Sequence, residues 1–404
     1  MKILLINNFH YQKGGSETVY FNNARLLEQA GHEVCFFSVD REENIETPFA
    51  KYFIADSSKM SKVTGLLKYF YNKEAEKNLE ELILAERPDI AHAHLMWGCT
   101  APSIFGILKK YRIPLVHTVH DYRMVCPAYT FKDGEHICEE CRGKHFYKCA
   151  INRCNKGSLL MSTVMAAEMY YRNIFFNPSK NINGLIYVSN FAKMKHEEYA
   201  PRFRDIPSMV LYNCTQKQDN KVKGRGDYFL YFGRLSHEKG VEKVIEVFKN
   251  MPNIKLKVVG NGPIEPDLRQ HASGCLNIEF LGFKKGEELH DLVRNAQFVI
   301  VPSQWYENNP MTIVEAYSFG TPIIGSDLGG IPEIIRDDIT GFVFKHDSMD
   351  SLKHKIIAAS EMSNQSYFNM SGNALKFYED NFSEKGYSEK LLEFYNLVLD
   401  NYHQ

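Results

Sequence analysis

The sequence predicts an α/β protein built from two doubly wound, parallel-sheet domains, and three observations carry that reading. Short apolar runs alternate with amphipathic helical patterns through the first half, the order that a parallel sheet requires. A polar stretch without apolar periodicity, TQKQDNKVKGRG at 215–226, then reads as an interdomain linker. Beyond it the alternation restarts with six further strand candidates. The 404 residues suffice for two or three domains, and 44% hydrophobic with 24% charged residues is ordinary globular composition.

Taken in order, KILLIN is a first strand; the run is too short for a signal peptide and leads into a polar loop with no small-residue cleavage pattern. A helix over about 16–30 ends at Gly31, a glycine placed as a C-cap should be. EVCFFSV, a helix near 73–86, DIAHAH and IPLVHTVH (113–120) follow. After a cysteine-rich insertion at about 126–156 come an apolar helical stretch at 157–176 and the strands GLIYVS (184–189) and SMVLYN. The second set is DYFLYFGR, KLKVVGNG, IEFLG, QFVIVPS, PIIGSD and GFVF, with LLEFYNLVLDNY as a closing amphipathic helix. The expected boundaries are 1–213 for the N-terminal domain, 214–226 for the linker and 227–384 for the C-terminal domain, with 385–404 packing back on the N-terminal domain.

A net charge of −1 argues against a general nucleic-acid binder, yet residues 141–210 hold eleven Lys or Arg against four Asp or Glu. That segment could meet an anionic membrane or a pyrophosphate-bearing acceptor, or be a solvated basic face. No apolar run reaches the roughly 18 residues of a membrane-spanning helix, which points to a cytoplasmic protein. Of nine cysteines, Cys126, Cys138, Cys141, Cys149 and Cys154 are crowded together. Cys138-x2-Cys141 and Cys149-x4-Cys154 could supply four thiolates to a structural zinc that orders a segment poor in apolar residues; reduced thiols are the alternative. Cys35, Cys99, Cys214 and Cys275 are isolated and read as packing residues.

The stretch 298–330, FVIVPSQWYENNPMTIVEAYSFGTPIIGSDLGG, carries most of the chemistry. A buried strand is followed by a polar turn and by Pro310, read as the first helical residue, so that the free amides of Met311 and Thr312 and a positive end of roughly half an elementary charge suit a phosphate. Glu307 lies in the turn and Glu315 about one turn into the helix, two carboxylates that can share a crevice and bind sugar hydroxyls. Arg234 and Lys239, in FGRLSHEKG, sit at a strand's carboxyl end before a helix whose apolar positions are Val241, Val244, Ile245 and Phe248. Two fixed cations there can stabilise a departing diphosphate. Gly14 and Gly15 follow the first strand and let backbone approach a ligand, but HYQKGGSE lacks the Gly-x-Gly-x-x-Gly of a dinucleotide site.

With Glu-x7-Glu in this setting, the chain resembles the retaining glycosyltransferases of family 4, whose GT-B architecture sets two Rossmann-like domains across a cleft. The resemblance covers most of the chain and is strongest over 228–344 and the first 30 residues. It implies a nucleotide-diphosphate sugar donor, a saccharide or lipid-linked acceptor and retention at the anomeric carbon, in cell-surface polysaccharide or glycolipid assembly. It also implies an acceptor-side N-terminal domain and a donor-binding C-terminal one. Glu315 would bind the ribose, Glu307 and His120 the donor sugar, and Arg234 and Lys239 the diphosphate. Asn309 would support sugar and diphosphate, Gly14 and Gly15 would close over the phosphates, and Gly260, Asn261, Gly262 and Phe283 would flank the base. No Asp-x-Asp is present, so no catalytic metal or other catalytic cofactor is expected. A nucleotide-sugar epimerase on the same fold and a non-catalytic nucleotide-sugar-binding protein are the competing readings.

Overall fold

The computed structural model describes residues 1–134, 136–218 and 224–403. The chain divides into two compact units, one of Met1–Leu211 together with the chain from Ser388 onward, the other of Tyr212–Tyr387.

In the first unit the strands are β1 (Lys2–Ile6), β2 (Glu33–Phe37), β3 (Val39–Asp40), β4 (Ile54–Ala55), β5 (Ile90–Ala93), β6 (Leu115–Val119), β7 (Gly184–Tyr187) and β8 (Ser208–Val210). Six of them form a parallel sheet in the order β2-β1-β5-β6-β7-β8. Every residue of β5, β6 and β7 is buried, so these strands show no alternation of apolar and exposed polar residues, and their polar members His92, His117 and Thr118 are hydrogen-bonded internally. The run EVCFFSV, read as one strand, is two. The ladder of β2 ends where Ile6 of β1 pairs Phe37, and beyond buried Ser38 the chain pairs β3 with β4 in a separate two-stranded sheet. A helix at Lys62–Phe70, capped by the Ser61 hydroxyl accepting from the Thr64 amide, was not expected from its mostly polar surroundings.

The cysteine insertion buries its few apolar residues against the rest of the first unit. Phe131, Cys141, Phe146 and Cys149 are buried, and the Phe131 ring meets Tyr122 and Tyr199 edge-on at 4.8 and 5.0 Å. Packing therefore orders a segment that composition had left poor in apolar surface. The closing helix runs Glu384–His403; Tyr395 reaches His92 Nδ1 at 2.6 Å, and a Cβ added at Gly184 would come within 2.7 Å of Val398.

The second unit carries β9 (Tyr228–Phe232), β10 (Lys255–Val259), β11 (Ile278–Gly282), β12 (Phe298–Val301), β13 (Ile323–Ser326) and β14 (Gly341–Phe344), all six expected strands, in the parallel order β11-β10-β9-β12-β13-β14. Phe229 and Tyr231 join one core, with Phe248, Phe298 and Tyr367, while Leu230 and Phe232 join the opposite one, with Val299, Ile313 and Tyr317. Alternate residues of β9 thus bury against helices on both faces. The winding reverses between β9 and β12, so the crevice at their carboxyl ends lies at a topological switch point.

Both ends of the expected linker are tied into this unit. Tyr378 donates to the Thr215 carbonyl at 2.7 Å, and Arg225 donates to the carbonyls of Ala359, Ser360 and Met362, where the helix Met349–Glu361 ends with no basic residue in its last turn. Residues 219–223 of that linker lie outside the described residues. Arg225 supplies the positive charge and donors that a helix C-terminus favours. Arg225→Ala is expected to lower stability by about 1–2 kcal/mol, read as a fall in the urea midpoint at unchanged slope.

Candidate functional site

At the carboxyl end of β12 the chain turns through Pro302–Pro310 before the helix Met311–Phe319 begins. Pro310 is the cap rather than the first helical residue: its ψ of 122° is extended, and its carbonyl accepts from the Ile313 amide at 3.0 Å. The helix consequently starts one residue later, with Met311 and Thr312 still supplying the first amides.

Glu307 is buried in this turn, and three donors converge on its Oε1: Lys239 Nζ at 2.6 Å, Ser303 Oγ at 2.8 Å and Trp305 Nε1 at 2.8 Å. Burial alone would raise its pKa, but Lys239, Trp305 and Ser303 outweigh it and hold the carboxylate below its usual range. The backbone is equally constrained. Gly329, at φ +63°, packs so closely that a Cβ would stand 2.2 Å from the Glu307 carbonyl oxygen, which accepts from the Gly330 amide at 2.7 Å. Lys239 comes from a single 3-10 turn after β9, and its ammonium lies 5.3 Å from the Trp305 ring centre. The four helix positions Val241, Val244, Ile245 and Phe248 are fully buried, which anchors that turn.

Arg234 is exposed on the loop after β9, and its guanidinium has no protein partner among the described residues. Glu315 is half-buried, and burial pushes its pKa up to about 7. Asn309 is buried and does internal work: its Oδ1 accepts from the Asn213 amide and its carbonyl from Asn213 Nδ2, each at 2.9 Å. Its own Nδ2 is left without a hydrogen-bond partner. Gly260 and Gly262 pack against the carbonyls of Gly233 and Leu235, where a Cβ would stand at 1.9 and 2.1 Å, and the Asn261 carbonyl accepts from the Leu235 amide at 2.8 Å. Phe283, just past β11, is 64% exposed and available to a flat ligand.

In the first unit His120 follows β6 and stacks on His94, with His94 Nδ1 and His120 Nε2 2.8 Å apart. His94 Nε2 meets Asn23 at 3.3 Å, and His92 bonds both Tyr395 and Thr118. Burial lowers the pKa of each imidazole, that of His120 to about 3, so these rings are neutral at pH 7. Gly14 has extended backbone at φ −172°, and a Cβ there would only touch Glu17 at 3.6 Å, so no left-handed turn demands a glycine. Gly15 is the first helical residue.

The structure also brings forward residues that the sequence reading passed over. Ser303 and Trp305 hold Glu307, and Glu17, one helical turn beyond the glycines, is buried with its pKa raised by burial. A cavity of about 360 Å³ at the ends of β1, β5 and β6 is lined by Asn8, Phe9, Lys13, Trp97, Asp121 and Arg123 among others. Position after a strand end was the one available signal for Asn8, Trp97 and Arg123; no motif marks them.

The clustered thiols interact. Cys149 and Cys154 share a hydrogen bond that helps keep Cys149 protonated. Among the described residues no three His, Cys, Asp or Glu side chains are arranged around a point that would hold a metal ion.

Residues 214–377 match the family model described as Glycosyl transferases group 1, and residues 13–154 match that of Glycosyltransferase Family 4. A Klebsiella pneumoniae protein described as an uncharacterized 42.6 kDa protein in the cps region is 24% identical over 83% of this chain and 88% of its own length. An uncharacterized glycosyltransferase of Methanocaldococcus jannaschii is 23% identical over 88% of each chain. Among solved structures, Anabaena HepE in complex with UDP superposes with a TM-score of 0.68 at 16% identity, covering 98% of this chain and 100% of that one.

The Lys239–Glu307 pair makes a prediction that does not depend on any ligand. Wild-type Glu307, depressed in the fold, contributes stability present above its unfolded pKa and lost as pH falls through the folded value. In Lys239→Met only Ser303 and Trp305 remain to offset the burial and the folded pKa rises above the unfolded one, so stability is lost as pH climbs. The variant should therefore lose about 2 kcal/mol relative to wild type at pH 7 and markedly less at pH 4.5, measured by urea unfolding at both values.

Proposed function

The chain belongs to the family 4 type of GT-B glycosyltransferases, and from that premise we propose that it moves a sugar from a nucleotide-diphosphate sugar to a hydroxyl of a saccharide or lipid-linked acceptor, with retention at the anomeric carbon. The observation that carries this reading is the buried carboxylate Glu307 held by Lys239, Ser303 and Trp305 beside a helix N-terminus at the switch point of the second sheet. In this reading Glu307 takes donor-sugar hydroxyls through the acceptor capacity its three donors leave over. Lys239, fixed by Glu307, and the exposed cation Arg234 face the diphosphate with the amides of Met311 and Thr312. Glu315 takes the ribose diol, the orphaned Asn309 amide a further ligand oxygen, and the loop of Gly260, Asn261 and Gly262 with Phe283 the base.

As the glycosyl–phosphate bond breaks, charge collects on the diphosphate, and fixed donors there lower the barrier without reorganising. The departing phosphate oxygen takes the proton of the acceptor hydroxyl on the same face of the sugar, so the step requires no metal. Neutral His120 positions the donor sugar, and the cavity beside it suits an acceptor. Support for a uridine nucleotide comes from HepE, crystallised with UDP, and support for surface polysaccharide assembly from the relative described in a cps region. A cytoplasmic location against the inner face of a membrane belongs to the same reading; no helix among the described residues is long and apolar enough to cross one. A structural zinc on Cys138, Cys141, Cys149 and Cys154 is also proposed, on the spacing and clustering of the thiols, and would require them to rearrange.

Screening UDP, GDP and ADP sugars by thermal shift, then following released nucleotide and product anomeric configuration, tests the whole reading. Inversion, or conversion of donor without an acceptor, overturns it. Arg234→Ala or Lys239→Ala should cost turnover about tenfold or more, one decade being roughly 1.4 kcal/mol of barrier. Because burial pushes the Glu315 pKa up to about 7 and only its carboxylate accepts both ribose hydroxyls, nucleoside diphosphate affinity should rise between pH 6 and 8 more steeply in the wild type than in Glu315→Gln, where the ionisation of the ligand's own terminal phosphate remains, by calorimetry. Elemental analysis should find about one zinc per chain; less than about 0.2, with freely titrating thiols, removes the metal from the proposal.

A further inference from the structure

The helix Leu159–Phe175 has one face in the core, through Ser162, Met165, Ala166, Met169 and Arg172. Its opposite stripe should then be polar, as on an ordinary surface helix. Instead it runs Leu160, Thr163, Ala167, Tyr170, Ile174, exposed along its length and without a charge. The only ionisable groups of this helix besides its tyrosines, Glu168 and Arg172, are buried and paired with each other at 3.3 Å.

Two neighbours extend that apolar surface. The helix Lys62–Phe70 packs beside it, Phe70 meeting Tyr171 edge-on at 5.5 Å and Tyr171 in turn meeting Phe175 at 5.3 Å. The short helix Tyr147–Ile151 also packs against it, Phe146 meeting Tyr170 at 5.2 Å. Across the three, Val63, Leu67, Ile151, Leu160, Ile174 and Phe175 are each 67–73% exposed. Scattered exposed apolar residues are normal, but a group of this size on adjoining helices marks a contact surface.

The charge beside it identifies what covers it. Arg153 and Lys156 just before the long helix, and Lys144, whose carbonyl accepts from the Tyr170 hydroxyl at 3.1 Å, are exposed and have no acidic partner among the described residues. From 141 to 196 the one acidic residue is the buried Glu168. A second copy of the chain would bring like charges together here with no acid to answer them, whereas an anionic lipid surface answers them and takes the apolar side chains among its acyl chains.

We propose that the helices Lys62–Phe70, Tyr147–Ile151 and Leu159–Phe175 form a membrane-docking face that lies in the surface of an anionic bilayer, with Leu160 and Ile174 inserted and Lys144, Arg153 and Lys156 on the headgroups. This deepens the membrane-facing part of the proposed function by naming the surface and the lipid class. Its test uses neither donor nor acceptor, so it fails or stands separately from the transfer reaction.

The experiment is co-flotation of the full chain with vesicles of phosphatidylcholine alone and of phosphatidylcholine with 30% phosphatidylglycerol, at about 0.05 and 0.5 M salt. Wild type should float with the anionic vesicles at low salt and be released at high salt or without the anionic lipid. Leu160→Asp/Ile174→Asp and, separately, Arg153→Glu/Lys156→Glu should each lower vesicle binding about tenfold or more while circular dichroism and melting temperature stay at wild-type values; both pairs lie at exposed positions. Equal binding to neutral and anionic vesicles, unchanged binding in both double variants, or no binding by wild type overturns the proposal. So does a wild-type dimer in light scattering that Leu160→Asp/Ile174→Asp converts to monomer, which would assign the face to a second copy.

Discussion

A sheet of parallel strands wound outward in both directions has one place where the crossover helices part to opposite faces, and in the second unit that place lies between β9 and β12. The strands on either side need no polar groups of their own, being buried on both faces. Polar and charged residues collect where the strands stop. Lys239 leaves from one side of the division and Ser303, Trp305 and Glu307 from the other, and they meet because the two adjoining strands end together. The carboxylate is tolerated in a buried turn only because three donors reach it; without Lys239 the same burial would favour its protonated form.

The two units solve the problem of buried polar groups differently. In the second, a charged pair and its donors are assembled around a carboxylate. In the first, neutral imidazoles at His92, His94 and His120 interlock with Tyr395, Thr118 and Asn23, so a polar floor is built with no formal charge. Such a network is fixed in its donors and acceptors across the neutral pH range, since burial holds each ring well below its ordinary titration range.

Much of this was legible in the sequence, for identifiable reasons. Four strands of the second unit, β9, β12, β13 and β14, could be read because they are buried almost throughout and carry no charged residue, whereas β10 and β11, nearer the sheet edge, kept enough apolar residues around Lys255, Lys257 and Glu279 to be recognised between their glycines. The pairing of Glu307 with Lys239 was not legible. The two residues are far apart in sequence, and each had been given a separate partner, sugar for one and phosphate for the other; only tertiary structure brings them within 2.6 Å. The insertion misled for another reason. Its apolar residues are few and irregularly spaced, so no period announces them, yet Phe131 is buried against Tyr122 and Tyr199 and Phe146 against Tyr170, residues outside the insertion. Pro310 was misplaced by one position because a proline suits both the cap and the first turn of a helix. The helix Lys62–Phe70 went unread because its apolar residues face outward, where periodicity arguments look for polar ones.

The close approach of glycines to carbonyl oxygens around the second crevice limits how this site can vary. At Gly260, Gly262 and Gly329 the obstacle is main chain, which cannot turn aside as a flexible side chain would. The loops that shape the crevice are thus held to one backbone path. Divergence in what the crevice accepts must then be written in the side chains that have room to change, Arg234 and Phe283 foremost, so that a rigid frame carries a small, replaceable set of readers.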